Sequence, residues 1–356
     1  MPAPANTAYD AVLIVSFGSP EGSDDVMPFL ANIASGRKIP ASRLETVVEQ
    51  YYHVGGVSPH NKHCRKLQAA LAEQLANAGH NLPVYWGNRN WHPLLESTLT
   101  DMAAQGHKRV LAIVTSAYSS YSSCRQYLED IAAAQFAVGP NAPVVHKVRA
   151  FYDHPGFVMP FIDATVEARS RLPLSLRTEA VLLATAHSIP QAMAQACDYE
   201  QQLRETGRLV AAGAGFESWE LVWQSRSGPL EIPWLEPDIN DRLTSLAATN
   251  KTRSVVVAPI GFVSDHMEVI WDLDVIAAKT AERLDISFSR AITPGTKPDE
   301  RFVAMCLELI EERIEPGTTC RSMGDLETRP HACPPNCCPK RVIHDQNDHP
   351  ATPDQK

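Results

Sequence analysis

The sequence predicts an α/β protein built of two lobes, each with a parallel β-sheet covered by helices on both faces. Short, near-continuous apolar runs alternate with amphipathic stretches along most of the chain, a pattern typical of strands that are buried on both faces. The chain has 356 residues, more than the roughly 250–300 at which a single core stops growing. Hydrophobic residues at 44% and charged residues at 21% are close to globular averages, so most of the chain can bury a core.

The order of these elements divides the chain into two lobes and a tail. Strands are predicted at 11–18, 82–87, 109–116 and 142–148 in the first half, and at 180–187, 217–225, 253–262 and, more weakly, 286–289 in the second. Helices are predicted at 24–34, 43–53, 61–78, 93–105, 123–136, 156–170, 198–212, 267–283 and 299–314. We therefore expect a first lobe at 1–160, a second at 161–315 with helix 299–314 packing last, and a tail at 316–356.

Charge and hydropathy exclude several classes of protein. The net charge is −9, and no basic segment is concentrated enough to neutralise the phosphates of a nucleic acid. The longest apolar runs are far shorter than the roughly 20 residues of a transmembrane helix, and the N-terminus has no basic or apolar leader region. The sequence predicts a cytoplasmic protein without a transmembrane segment.

Polar or glycine residues end nearly every predicted strand, as in "SFGSP", "TSAYSSYSS", "TAHSIP" and "GFVSDHME". Ligands of open parallel sheets bind beyond the carboxyl ends of the strands. The sequence therefore predicts that these segments meet in one cleft between the lobes.

His187 follows an apolar strand directly in "TAHSIP". It is either a strand-end residue that bonds the backbone, or an imidazole at the cleft that accepts protons near neutral pH or binds a metal. Ser188 and Gln191 have the spacing of a capping box that would begin a helix there.

Asp265, Glu268 and Asp272 in "SDHMEVIWDLD" share one face of a helix that begins at Asp265. A capping box explains the first two, because acidic groups suit a helix N-terminus. Asp272 lies beyond the first turn, and three carboxylates in a row leading into a cleft would suit a weakly held divalent cation such as Fe(II). In "HVGGVSPHN", Ser58 is a predicted N-cap, either a plain helix start or an anion site.

Half of the eight cysteines lie in the proline-rich tail. They are Cys320, Cys333, Cys337 and Cys338, in a segment with almost no apolar periodicity. Such a segment gains little from burial, and clustered cysteines in a reducing compartment more often bind metal than form disulfides. The tail is therefore predicted to hold a metal centre.

Five motifs together resemble the ferrochelatase family: "SFGSP", "YYHVGGVSP", "TAHSIP", "WQSRSGPLEIPWLEPD" and "PIGFVSDHMEVIWDLD". They occur in family order and cover roughly residues 10–315. The resemblance implies two Rossmann-like lobes of the chelatase type that enclose a porphyrin cleft, and an enzyme, a lyase, that inserts Fe(II) into the porphyrin in heme biosynthesis. A later enzyme of that pathway is then a candidate partner.

The resemblance assigns roles to particular residues. His187 and Glu268 match the catalytic pair, and both, with Asp272, match the path of the Fe(II) substrate. The matched porphyrin contacts are Ser58, Tyr51, Tyr127 and Trp223. Two positions depart from some bacterial relatives: Phe17 stands where they have tyrosine, and Gln50 where they have arginine.

The resemblance also implies a C-terminal 2Fe-2S cluster, with three ligands from the tail and one internal ligand. Cys124 matches the internal position, and Cys320 and Cys333 match in the tail. Cys337 and Cys338 compete for the last place, and the spacing from Cys333 favours Cys338.

Coproporphyrin III is the expected substrate and protoporphyrin IX the alternative. The segment "EGSDDVMPFLANIASGRKIP" at the expected cleft mouth is mostly polar, which favours the porphyrin with four propionates. An iron–sulfur electron carrier is a remote alternative that would need a cofactor fingerprint elsewhere. A zinc-stabilised binding module would have paired C-x2-C knuckles, which the tail lacks.

Overall fold

The structure is a computed structural model that describes residues 8–35, 41–229, 231–249, 252–315 and 317–340, of which 41–43 are described by their backbone only. The sequence interpretations that concern residues 36–40 and 341–356 lie outside the described residues.

Two four-stranded parallel sheets form the framework and confirm the predicted fold class. The first contains β1 (Ala11–Ser16), β2 (Val84–Asn88), β3 (Arg109–Val114) and β4 (Val144–Lys147), in the order β2-β1-β3-β4. The second contains β5 (Val181–His187), β6 (Trp219–Gln224), β7 (Ser254–Ala258) and β8 (Ser287–Arg290), in the order β6-β5-β7-β8. All eight predicted strands are present. Every residue of β1 and β7 is buried, as near-continuous apolar runs require.

Helices cover both faces of the sheets. They are α1 (Ser23–Ala34), α2 (Ala41–His53), α3 (His60–Asn77), α4 (Leu95–Ala104), α5 (Gln126–Val138), α6 (Pro155–Ser170), α7 (Gln191–Ala194), α8 (Tyr199–Gly213), α9 (Ile239–Ala248), α10 (Met267–Val269), α11 (Ala278–Arg283) and α12 (Glu300–Ile314). Two π-helical segments, Tyr121–Arg125 and Ile270–Ala277, lead into α5 and α11, and a short 3₁₀ turn spans Leu174–Leu176. Helix α9 is absent from the sequence prediction; the Asp238 side chain caps it by accepting from the Asn240 amide at 2.8 Å.

The predicted lobe boundary at 160/161 falls inside α6. This helix packs against α8, against β7 and β8 of the second sheet, and against α12. Helix α12 in turn packs against both α3 and α6. The largest hydrophobic core therefore contains side chains of both lobes, such as Leu71, Phe157 and Leu203.

No helix among the described residues is both long enough and apolar enough to span a bilayer.

Candidate active site

One cavity of about 1210 Å³ lies between the two sheets. Strand ends of both sheets line it, among them Phe17, Arg89, Thr115, His187 and Gln224. The predicted meeting of strand ends in a cleft is confirmed. The cavity is larger than the roughly 300–1,000 Å³ of pockets for drug-sized ligands, so it has room for a macrocycle.

His187 is the last residue of β5 and presents one ring nitrogen to this cavity. Its Nδ1 donates to the backbone oxygen of Ser188 at 2.5 Å, and Tyr199 Oη donates to the His187 carbonyl at 3.0 Å. Because Nδ1 holds the proton, Nε2 of the neutral ring carries a free lone pair. The capping box predicted after His187 is wrong, since Ser188 Oγ donates to the Leu235 carbonyl at 2.8 Å.

Glu268 stands at the N-terminus of α10, which begins at Met267 rather than at Asp265. The N-cap is His266, whose Nδ1 accepts from the Glu268 amide at 3.2 Å. Asp265 turns away from the cavity, because its carboxylate accepts from Arg290 at 3.0 Å and from Thr293 at 2.9 Å. Of the three predicted acids, Glu268 and Asp272 line the cavity.

His187 and Glu268 face each other, with 4.0 Å between Nε2 and Oε2. This separation is too long for a direct hydrogen bond. Bonds from a first-row divalent metal to imidazole nitrogen or carboxylate oxygen are each about 2.0–2.2 Å. The gap therefore fits one metal ion bound by an imidazole and a carboxylate.

Asp272 lies one helical turn beyond Glu268, and its carboxylate accepts a short hydrogen bond from Ser225 Oγ. Burial raises the pKa of Asp272 to about 6, the Ser225 hydrogen bond opposes this shift, and the nearby Glu268 adds to it. Asp272 can therefore exchange a proton near neutral pH.

The predicted porphyrin contacts fall in different places. Ser58 lines the cavity and accepts from the Met267 amide at 3.3 Å, so it ties the start of α3 to the helix of Glu268 instead of capping α3. Tyr51 and Tyr127 also line the cavity. Trp223 differs from expectation: its ring is 2% exposed and packs behind Tyr199, which itself lines the cavity.

Several residues that line the cavity were not predicted from the sequence. Arg89 places its guanidinium 4.4 Å from the Tyr127 ring and pairs with Asp130. Helices α1 and α2 form an apolar wall with Leu30, Ile33, Leu44 and Val47. Leu30 and Ile33 belong to the segment that is mostly polar in composition, so this segment presents an apolar helix face to the cavity. The helical period of its apolar positions could have predicted that face.

The tail loop that contains three cysteines docks beside Cys124. Arg125 Nη1 donates to the Pro335 carbonyl at 2.7 Å, and Lys340 Nζ lies 5.7 Å from the Tyr121 ring. The Sγ atoms of Cys337 and Cys338 are 3.5 Å apart, close to the separation of about 3.7 Å for two thiolates on one metal with bonds near 2.3 Å.

The backbone at Cys338 supports this arrangement. Cys338 has φ of 52° and is 4% exposed, and a non-glycine residue adopts this strained conformation only where its surroundings enforce it. Burial raises the pKa of the Cys338 thiol, with contributions from Cys337, Cys124 and Cys197. Burial also raises the pKa of Cys337, to which a hydrogen bond with Cys333 contributes. The Cys338 thiol thus has Cys337, Cys124 and Cys197 as neighbours and Cys337 has Cys333, and thiolates have the donor chemistry of a 2Fe-2S centre.

Cys320 has different neighbours from those that the ligand prediction requires. Its Sγ lies 3.8 Å from His331 Nε2, and Glu312 completes the group. The set Cys124, Cys320, Cys333 and Cys338, with Cys337 as the alternative to Cys338, therefore stays a prediction, and the contacts of Cys320 favour Cys337 in its place.

A cavity between two parallel sheets, with an imidazole facing a carboxylate, defines a chelatase of the two-lobed α/β class. The structure of SirB from Bacillus subtilis with Fe³⁺ has this fold, with a TM-score of 0.52 at 10% identity over 86% of this chain and 98% of that one. The profile described as ferrochelatase matches residues 9–314. The chain belongs to the ferrochelatase family.

Two curated relatives extend over nearly the same length. The coproporphyrin III ferrochelatase of Mycolicibacterium smegmatis is 50% identical over 310 residues, which cover 86% of this chain and 90% of that protein. The ferrochelatase of Rhodopirellula baltica is 48% identical, with 93% of each chain covered.

Proposed function

We propose that this enzyme inserts Fe(II) into coproporphyrin III and yields Fe-coproporphyrin III in heme biosynthesis. The observation that carries the proposal is 50% identity to a coproporphyrin III ferrochelatase over most of both chains, together with the facing pair His187 and Glu268. Protoporphyrin IX is the alternative substrate.

Metal insertion releases two protons from the pyrrole nitrogens as Fe(II) binds them. His187 Nε2 carries the free lone pair, so we assign it the first proton. Glu268 is 54% exposed in its side chain and reaches the cavity edge, where it would deliver the metal or pass protons on. Asp272, with its pKa near 6, continues this path towards Ser225. A site complementary to a puckered macrocycle would favour the transition state over the planar substrate.

The two halves of the cavity suit an amphipathic macrocycle. Thr115, Ser116, Ser122 and Ser123 contribute hydroxyls to the cavity lining, and Arg89 contributes a guanidinium. Hydroxyl and guanidinium groups can bind propionates, while the apolar wall of α1 and α2 would pack on the ring face. We propose Ser58, Tyr51 and Tyr127 as further contacts, and we omit Trp223 because Tyr199 covers it.

An anaerobic Fe(II)-insertion assay with both porphyrins tests the substrate. We expect a higher kcat/KM for coproporphyrin III in detergent-free buffer. A clear preference for protoporphyrin IX would reject coproporphyrin III as the substrate but not the chelatase activity. No insertion into either porphyrin would reject the activity itself.

We also propose that Cys124, Cys333, Cys337 and Cys338 hold a 2Fe-2S cluster. The docking of Pro335 on Arg125 and the 3.5 Å separation of the adjacent thiols support this set. When bound, the cluster would supply a cross-link between the tail and the body, and iron insertion without redox change needs no electron from it. Protein purified under gentle conditions should be red-brown with thiolate-to-iron absorption bands; a colourless protein containing only zinc would contradict the proposal.

A further inference from the structure

A second group of metal-binding side chains lies under the first half of the tail, and none of its members lines the cavity. It contains Glu312 on α12 and two tail residues, Cys320 and His331. One ligand atom of each lies within 4.8 Å of the others. We propose that these three residues bind one zinc ion, which fastens residues 320–331 to the last helix.

The geometry of the thiol and the imidazole is close to that of a bound metal. The distance between Cys320 Sγ and His331 Nε2 is 3.8 Å. In a tetrahedral zinc site with bonds of about 2.3 Å to sulfur and 2.0 Å to nitrogen, the corresponding edge is about 3.5 Å. A shift of a few tenths of an ångström therefore brings both atoms to bonding distance.

A buried arginine orients the Glu312 carboxylate, the third ligand. Arg149 donates to its two carboxylate oxygens at 2.8 and 2.9 Å, and both side chains are at most 1% exposed. The bidentate pair fixes the orientation of the carboxylate. Since a carboxylate has about four lone-pair positions, two remain for a cation.

The backbone around Cys320 is fixed by contacts that do not involve the metal. Arg149 Nη2 donates to the Arg321 carbonyl at 2.9 Å, Arg321 Nη1 donates to Glu308 at 2.7 Å, and the Met323 amide donates to the Asp153 carbonyl at 2.8 Å. Cys320 is thereby held beside Glu312. One thiolate, one imidazole and one carboxylate are a ligand set that zinc accepts, with water in the fourth position.

Zinc-edge X-ray absorption on the full-length protein with its cluster bound, loaded with one equivalent of Zn²⁺, tests the site, because the cluster then occupies the other tail thiols and its iron does not contribute at that edge. We expect one sulfur neighbour at about 2.3 Å. None of the described cavity-lining residues is a cysteine, so zinc in the active site would show only nitrogen and oxygen. Cys320→Ser and His331→Gln should each weaken zinc binding by more than about 100-fold, the upper range for losing a supporting partner alone.

His80→Gln is the matched control, because His80 lies against Glu311 and Glu315 on the same helix without a thiol. It should leave the zinc–sulfur signal unchanged. Coproporphyrin metallation, measured on every variant, reports that the fold is intact. The proposal fails if wild-type protein shows no zinc–sulfur neighbour, or if that neighbour persists in Cys320→Ser. It also fails if Cys320→Ser loses the red-brown colour, which would make Cys320 a cluster ligand.

Discussion

At the scale of single residues, the two nitrogens of His187 have different partners. Nδ1 donates a hydrogen bond to the Ser188 carbonyl at 2.5 Å, and Nε2 lies 4.0 Å from Glu268 Oε2. The hydrogen bond of one nitrogen selects the tautomer that exposes the other as a base.

We expect His187→Ala to lower Fe(II) insertion by at least about 100-fold, the lower range for loss of a general base. Porphyrin binding, measured by fluorescence quenching, should remain, since the imidazole acts on ring protons and not on the periphery. His107→Ala is the control, because His107 bonds Tyr85 on the far side of β2. Near-normal turnover of His187→Ala would show that the imidazole only ends a strand.

At the scale of elements, the loop 333–338 depends on its contact with the π-helical segment before α5. Cys124 lies in that segment, and the neighbouring Arg125 bonds Pro335. Residues 317–340 contain no helix or strand, and most of their side chains are exposed or half-buried. A metal centre can supply the free energy that orders such a segment.

We expect Cys124→Ser, Cys333→Ser, Cys337→Ser and Cys338→Ser each to lose the visible cluster bands, and to expose the tail to limited proteolysis. Cys306→Ala is the control, since Cys306 is fully buried in the core of α12. If the Cys337→Ser protein keeps its full colour, Cys320 is the fourth ligand instead, as the family resemblance implies. A full cluster in Cys124→Ser would show that the internal ligand is wrong.

At the scale of the whole molecule, a buried carboxylate beneath the tail links stability to pH. Asp153 is 1% exposed, and neither of its carboxylate oxygens has a hydrogen-bond partner among the described residues. Burial raises its pKa to about 6, and Arg149 opposes the shift. Between its ordinary value of 3.8 and about pH 6, the folded protein keeps a proton that the unfolded chain has lost. Stability therefore falls as pH rises through this window.

Asp153→Asn removes the loss of stability that accompanies ionisation of Asp153, while Arg149 keeps its pairing with Glu312. The variant's free energy of unfolding should exceed that of wild type by about 1.5 kcal/mol more at pH 8 than at pH 5. This difference follows from the two-unit pKa shift of Asp153. Chemical unfolding at both pH values measures the difference. Asp101→Asn on the exposed face of α4 is the control; equal gains at both pH values would contradict the assignment.

The sequence by itself determined the two-sheet fold, because apolar runs such as those of β1 and β7 can only be buried on both faces. It also placed His187, Glu268 and Asp272 at the cleft, since parallel strands end at one edge. These inferences use local periodicity, which a single chain displays.

Only the tertiary structure decided which groups meet. Asp265 and Glu268 are three residues apart, yet one pairs with Arg290 and the other faces His187. Trp223 lies behind Tyr199, α6 crosses the predicted boundary, and Cys320 lies beside Glu312 rather than with the other tail thiols. The physical reason is that side-chain partners are chosen by packing between segments distant in the chain, and that choice leaves no local pattern.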